Sequence, residues 1–247
     1  MSLPQDVIAG LTRVAQVPIL LVTSDFDGTL APIVNNPADA RPLEASAVAL
    51  RALAAAPSTS AALISGRALT DLGTLSGLSG AVHLVGSHGA EFNTGFAHQI
   101  DGELLQKINA ELGAIADRYP GVTVEPKPAS VALHVRNADP ADGEAALAAA
   151  RSASTQWNAH ATEGKAVLEF AVITTDKGVA IDILREREGA DAVVFFGDDV
   201  TDEKAFRRLR TDDVGVKVGP GETAARYRVS SPEDVATALQ FLAGLRR

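Results

Sequence analysis

The run Val17-Pro-Ile-Leu-Leu-Val-Thr23 is apolar and partly β-branched, and the polar cluster Ser24-Asp25-Phe26-Asp27-Gly28-Thr29 ends it. A short, unbroken apolar run predicts a strand buried on both faces, as in a parallel sheet. Residues 42–56 follow with apolar positions at helical spacing (Leu43, Val48, Leu50, Leu53) and Pro57 as a stop, which predicts a helix. Strands are then expected at 60–65, left by Gly66-Arg67, and at 81–86, leading into Ser87-His88-Gly89-Ala90-Glu91, with a short helix over 70–78 between them. Strands alternating with helices specify βαβ units and a parallel sheet. In such sheets the chemistry lies beyond the carboxyl ends of the strands. Asp25 and Asp27, Ser65 and Arg67, and His88 and Glu91 all fall there.

The pattern changes after residue 102. A helix over 102–119 carries Leu104, Leu105, Ile108, Leu112 and Ile115 on one face, and Pro120-Gly121 breaks it. Strands are expected at 122–125, 131–135 and 166–170, around an alanine-rich helix over 141–156. These strands read as antiparallel pairs. Residues 104–172 are therefore expected to form an inserted α+β domain, with 1–103 and 173–247 making the main one. Alternation then resumes: a helix over 178–188, a strand at 192–196, a helix over 201–209, short strands at 214–218 and 227–229, and a last helix opening at Ser231-Pro232. The expected fold class is α/β, a Rossmann-like parallel sheet with helices on both faces plus the smaller insert.

Composition narrows the function classes. The 247 residues are enough for a sizeable core, and 46% of them are hydrophobic but only 4% aromatic, so the core is aliphatic. The chain holds 22 basic and 31 acidic residues, a formal charge of −9, which gives no bulk attraction to nucleic acid or to an anionic membrane. An anionic substrate must therefore be met by a local basic pocket or a metal. With no cysteine, disulfides and thiolate metal sites are excluded, which accords with a reducing cytoplasm. Residues 1–16 do not resemble a signal peptide, and no apolar run is long enough to span a bilayer. A soluble, cytoplasmic, monomeric protein is expected.

Residues i and i+2 of an extended segment point the same way, so Asp25 and Asp27 converge at a strand end. Gly28 permits a tight turn whose N–H groups can cradle an anion. Gly197-Asp198-Asp199-Val200-Thr201-Asp202-Glu203 closes a second apolar strand. Four acidic residues there repel one another unless a cation is close. Mg²⁺ takes carboxylate and water oxygens and leaves positions for a substrate phosphate. Asp25 and Asp198, from two strands, suit it, with Asp27 and Asp199 completing the candidate metal set; Thr201 or Asp202 could instead cap the next helix. Lys177 opens a helix, where the macrodipole disfavours a cation unless an anion lies in front of it. Ser65 can hold a phosphoryl oxygen and Arg67 can meet the substrate, or Ser65 can cap a helix. His134 reads equally as a core or surface residue and as a pocket residue. Gly219-Pro-Gly-Glu-Thr-Ala224 reads as a turn. Together these residues favour covalent phosphoryl transfer, with Asp25 as nucleophile, Asp27 as acid and base, and Ser65, Lys177 and the N–H groups of the Gly28–Thr29 loop on the phosphoryl oxygens.

The set Asp25/Asp27/Thr29, Ser65, Lys177 and Asp198/Asp199 resembles the motif series of the haloacid dehalogenase superfamily. The insert resembles a cap domain of that superfamily. The late Gly-Asp-Asp-Val-Thr-Asp-Glu run, Ser65-Gly-Arg67, Glu125-x-Lys127-x-x-Ser130, His134-x-Arg136 and Gly164-Lys165-x-Val167-x-Glu169 are similar to motifs of the trehalose-6-phosphate phosphatases. The resemblance extends over residues 18–244. It implies a Mg²⁺-dependent phosphatase that hydrolyses trehalose 6-phosphate. It further implies substrate contacts from Gly28, Thr29, Arg67 and His88 and sugar-phosphate contacts from Glu125, Lys127, Arg136, Lys165 and Glu169. The chain departs from the family's pattern at Ala171-Val172, where an Arg or Lys and a Pro usually stand. A different sugar phosphate or a cyclitol phosphate is therefore a second candidate substrate. The same core residues would also suit a phosphomutase or a non-catalytic sugar-phosphate sensor.

Overall fold

The computed structural model describes residues 3–96, 100–173 and 175–247. The chain forms two compact units, Met1–Gly95 with Thr175–Arg247, and Phe96–Thr174.

The first unit begins with α1 (Gln5–Val14), then runs through β1 (Leu20–Ser24), α2 (Glu44–Ala55), β2 (Thr59–Ile64), α3 (Leu69–Ser76) and β3 (Val82–Gly86). Two short strands follow, β4 (Glu91–Phe92) and β5 (Gly95–Phe96). The second unit holds α4 (Gly102–Ala116), β6 (Thr123–Pro126), β7 (Ser130–His134), α5 (Pro140–Ser154), β8 (His160–Gly164) and β9 (Val167–Ala171). The chain then returns to the first unit with α6 (Lys177–Glu188), β10 (Ala192–Gly197), α7 (Asp202–Arg208), β11 (Val214–Val218), β12 (Tyr227–Val229) and α8 (Pro232–Leu245).

The large sheet has the order β12-β11-β10-β1-β2-β3-β4-β5. Every pairing from β12 to β3 is parallel, and β4 joins β3 antiparallel. β1 is central: Val22 stands opposite Val194 on one side and Ala61 on the other. Alternate side chains go to opposite faces. Leu20 and Val22, with Ala61, Leu63, Val194 and Val216, join the core beneath α1, α2, α3 and α8. Leu21 and Thr23 point to the other face, which α6 covers. Burial of both faces explains why these strands read as unbroken apolar runs. Each fully buried Leu or Phe contributes about 1.5–3 kcal/mol, so this double-faced core carries the fold. The α/β architecture expected from the alternation is present.

Four elements carried no expectation. α1 buries Val7, Leu11 and Val14, spaced four and three apart, so its amphipathic signal lies in the sequence. Gly10 lets it approach Tyr227, whose ring lies 2.8 Å from where a Cβ would stand. β8 (His-Ala-Thr-Glu-Gly) is exposed at every position and has no apolar pattern to betray it. It is set by the hairpin with β9, in which Gly164 pairs with Val167 and Ala166 takes a left-handed φ of 61°. β4 and β5, two residues each, are too short for a periodic signal.

The second unit is a sheet in the order β6-β7-β9-β8, antiparallel throughout. Val131, Leu133, Leu168 and Phe170 point to one face and pack with Ile108, Leu112, Ala146 and Trp157. Trp157 meets Phe170 edge-on at 4.9 Å. The residues between them point the other way and make a polar face. Across it runs one register row, Glu125, Ala132, Glu169 and Thr162. No helix among the described residues is long and apolar enough to cross a membrane.

Candidate active site

Asp25 lies one residue past β1 and keeps its ladder, its N–H donating to the Phe196 carbonyl at 2.9 Å. By strand parity its side chain follows Leu21 and Thr23 to the α6 face. The N-terminus of α6 is there. Asp176 caps that helix by accepting from the Val179 N–H at 2.9 Å, and Lys177 opens it with an ammonium 2.8 Å from Asp25 Oδ1 and 2.7 Å from Asp202 Oδ1. Lys177 is buried, with two carboxylates in front of it as its place at a helix start requires.

The loop after β10 is folded around Asp202. One Asp202 oxygen accepts from Lys177, and the other accepts from the N–H groups of Asp198 (2.8 Å) and Asp199 (3.0 Å). Gly197 makes room for this, since a Cβ there would stand 2.5 Å from the Asp202 carboxyl carbon. Asp202 therefore faces inward and does not cap α7. Asp199 takes that role, accepting from the N–H groups of Thr201 and Asp202 and from the Thr201 hydroxyl. Asp198 is directed back toward β1, where Thr29 donates to it at 3.1 Å. Gly28, at φ +80°, lies against the same carboxylate; a Cβ there would come within 2.1 Å of Asp198 Oδ2. Only glycine fits both the backbone angle and the space.

Asp25, Asp198 and Asp202 thus bring carboxylate oxygens within 4.8 Å of one another. Burial pushes Asp25 well above the usual carboxylate range, and Asp202 and Asp198 add to it against the opposing pull of Lys177. Burial likewise raises Asp198, with Asp199 adding to it. It raises Asp202 too, against Lys177. Burial would push Lys177 down, but Asp25, Asp202 and Asp199 reverse this and hold it above its ordinary range.

Asp27 has a different partner. Arg67 grips it with two hydrogen bonds, Nε to Oδ2 at 2.7 Å and Nη2 to Oδ1 at 2.6 Å. The guanidinium also lies 5.5 Å from the centre of the Phe26 ring. Ser65 is buried past β2, and its hydroxyl accepts from the Arg67 N–H at 3.2 Å rather than capping α3. Beyond β3, Ser87 and His88 both take left-handed φ angles, 50° and 54°. Glu91 steadies this turn by accepting from the Ser87 hydroxyl (2.7 Å) and the Leu69 N–H (3.0 Å). The His88 ring covers Gly66, where a Cβ would stand 2.5 Å from it.

The other sequence-derived candidates lie in the second unit. Glu169 accepts from Lys127 Nζ at 3.0 Å and from the Ser130 hydroxyl at 2.6 Å. Glu125 is 2.7 Å from His134 Nε2, which gives His134 a partner that its place in a strand did not reveal. Arg136 is exposed just past β7, and Lys165 is exposed at the tip of the β8–β9 hairpin. Asp202 and Lys217 are the residues of the first unit whose part the sequence reading missed. Asp202 looked like a cap, and Lys217 like one member of a strand.

The donor set fits a hard divalent cation. It offers only carboxylate oxygens, and the chain holds no thiol. The buried Asp25 and Asp202 share the Lys177 ammonium and the half-buried Asp198 stands beside them, so negative charge is in excess. Asp25 and Asp198 would hold the ion, because both Asp202 oxygens already accept hydrogen bonds. The sign of the pH dependence follows. A carboxyl whose folded-state pKa is raised contributes stability below its ordinary value of 3.8, and that contribution is lost as pH rises through the raised value. A divalent cation held there would offset the loss. The gain in thermal midpoint on adding Mg²⁺ is expected to be larger at pH 8 than at pH 5, measured by differential scanning fluorimetry. A gain equal at both pH values would contradict the charge excess.

A family model described as trehalose-phosphatase matches residues 23–233. A Mycobacterium tuberculosis protein named "Uncharacterized glycosyl hydrolase" is 36% identical over 241 residues, covering 89% of this chain and 18% of its own length. A trehalose-phosphate phosphatase of Mycobacterium marinum is 36% identical over 238 residues, covering 89% of this chain and 60% of its own length. The trehalose-6-phosphate phosphatase of Escherichia coli is 33% identical over 227 residues, covering 88% and 84%. The chain thus spans less than two thirds of the two mycobacterial relatives. Among solved structures, the C-terminal domain of C. albicans trehalose-6-phosphate phosphatase superposes with a TM-score of 0.75 at 24% identity, covering 97% of each chain, which bears on the fold alone. The family match spans both strand-end acidic clusters and the insert between them, and the chain belongs to the trehalose-phosphatase family.

Proposed function

We propose that the chain is a magnesium-dependent phosphatase that hydrolyses trehalose 6-phosphate through a phosphoenzyme on Asp25. One observation carries this reading: Asp25, fixed by the buried Lys177 ammonium, stands beside Asp198 at the carboxyl end of a parallel sheet. A Mg²⁺ ion held by Asp25 and Asp198 would supply charge neutralisation, so that a carboxylate can approach a phosphate.

An Asp25 oxygen attacks phosphorus while the bond from phosphorus to the sugar oxygen breaks. Asp27 gives its proton to that oxygen, the sugar leaves, and Asp25 carries the phosphoryl group. In the second half Asp27 takes a proton from water as the water oxygen attacks phosphorus. The bond between Asp25 and phosphorus breaks, releasing inorganic phosphate. Lys177 and the Ser65 hydroxyl hold the phosphoryl oxygens; the N–H groups of Gly28 and Thr29, expected to share this task, are instead turned to the Ala31 (2.8 Å) and Phe26 (3.4 Å) carbonyls, which close the turn on itself. Arg67 donates one hydrogen bond to each Asp27 oxygen and so fixes the plane of the carboxyl group. The polar face of the second unit is the proposed sugar-recognition surface, with Glu125, Lys127 and Glu169 on it and Arg136 and Lys165 at its margin. The pairing of Lys127 with Glu169 supports this by presenting one fixed donor and one fixed acceptor for sugar hydroxyls.

Phosphate release is to be measured with Mg²⁺ over trehalose 6-phosphate, sucrose 6-phosphate, glucose 6-phosphate and a cyclitol phosphate. The highest kcat/KM is expected for trehalose 6-phosphate. A higher value for another member removes the substrate assignment, and no release from any removes the activity. One observation favours the cyclitol or second-sugar reading. Ala171 lies on the polar face in register with Ser130 and His160, and it offers no charge to a disaccharide.

A further inference from the structure

Lys217 sits near the end of β11, in register with Gly197. In that strand Val214, Val216 and Val218 enter the core under α1 and α8. Gly215 and Lys217 therefore point to the α7 face. Gly215 leaves space for Phe206 and Leu209 there. An apolar side chain would be the ordinary occupant of the next position on this face. Lys217 places a buried ammonium there instead. Its Nζ donates to the backbone carbonyls of Asp198 and Val218. Among the described residues no carboxylate lies within ion-pair distance of it. Burying an ammonium on neutral acceptors is costly, and packing alone would favour a hydrophobe.

The Asp198 carbonyl is one end of the peptide unit that joins residues 198 and 199. The other end of that unit, the Asp199 N–H, donates to Asp202. Both ends of a rigid peptide plane are thus held by side chains, one cationic and one anionic. Holding this plane restrains the backbone at the Asp198 Cα, from which the carboxylate springs. Asp202 is itself held by Lys177, the residue that holds Asp25. Thr29 donates to the Asp198 carboxylate at 3.1 Å and Asp202 holds the Asp198 N–H at 2.8 Å, so Lys217 fixes the remaining polar group of the residue, its carbonyl.

We propose that Lys217 is a positioning residue for the cation site. By fixing the 198–199 peptide it keeps the Asp198 carboxylate aimed at Asp25, and divalent-metal affinity depends on it. The inference rests on the metal-dependent reading given above.

The test uses the full chain and two variants, Lys217→Met and Lys217→Arg. Mn²⁺ binding is titrated by electron paramagnetic resonance, and the half-saturating Mg²⁺ concentration is read from phosphate release. Partners that orient metal ligands contribute about 10–100-fold in metal affinity. Lys217→Met is expected to weaken Mn²⁺ binding at least tenfold and to raise the half-saturating Mg²⁺ by a similar factor. The KM for the sugar phosphate at saturating Mg²⁺ is expected to stay within twofold. Lys217→Arg, which keeps charge and donors, is expected to restore most of the affinity. If Lys217→Met fails to fold, Lys217→Gln replaces it, with the same expectation for Mn²⁺. Wild-type affinity in a folded Met or Gln variant overturns the proposal and leaves the metal-dependent reading standing. A wild type that binds no Mn²⁺ or Mg²⁺ removes both.

Discussion

Asp25→Asn is expected to lower kcat by about 10⁶-fold, the scale of loss when a covalent nucleophile is removed. The amide keeps the size of the side chain and cannot form an acyl phosphate under these conditions. Substrate should still bind, because Lys177 and Ser65 remain. Stability should move the other way. In the metal-free protein Asp25 is a buried carboxylate facing Asp198 and Asp202, and burial already pushes it toward the neutral form. A neutral amide relieves that strain, and Lys177 keeps Asp202 as a partner. The variant is therefore expected to be inactive yet to melt higher than the wild type without metal. Single-turnover phosphate release and thermal melts in chelator check the two halves. A variant retaining a tenth of wild-type turnover would remove Asp25 as nucleophile.

Asp27→Asn is the second large effect, a loss of about 10²–10⁴-fold, as for a positioned acid and base. Its signature depends on the leaving group. Sugar phosphates need a proton on the departing oxygen, so phosphoenzyme formation itself slows. p-Nitrophenyl phosphate releases a stable anion that needs no proton, and its first step should survive. Hydrolysis of the phosphoenzyme still needs a base. The variant should therefore release about one nitrophenolate per enzyme in a burst and then turn over slowly. An equal loss on both substrates with no burst would assign Asp27 to another task. Arg67, whose two bonds lock Asp27, would then be the first residue to re-examine.

Much of the first unit could be read from the chain because its strands are buried on both faces. That burial demands unbroken apolar runs, and the polar residues ending each run mark the chemical edge of the sheet. Lys177 was marked by its place at a helix start, where a cation is unfavourable without an anion before it. The partners of the acidic loop were less legible. Asp202 sits where a capping residue would sit, and only the fold shows its carboxylate turned inward beneath the 198–199 peptide. Lys217 alternates with valines in a short strand, a pattern shared by any half-exposed strand. The Arg67 grip on Asp27 joins residues 40 positions apart, beyond the reach of local spacing. β8 escaped because an exposed edge strand needs no apolar side chains. α1 was legible in principle, since Val7, Leu11 and Val14 carry the helical period.

The single ammonium that serves both Asp25 and Asp202 also gives these positions a history-dependent tolerance. Loss of one carboxylate leaves Lys177 with a partner, so the fold survives that change even where activity does not. Loss of Lys177 first strands two buried negative charges at once, and the effects of the three substitutions cannot add. A lineage drifting away from catalysis can thus shed its nucleophile and keep a folded domain, whereas the lysine can be surrendered only after the acids around it. The order of change, and not only its content, is written into the site.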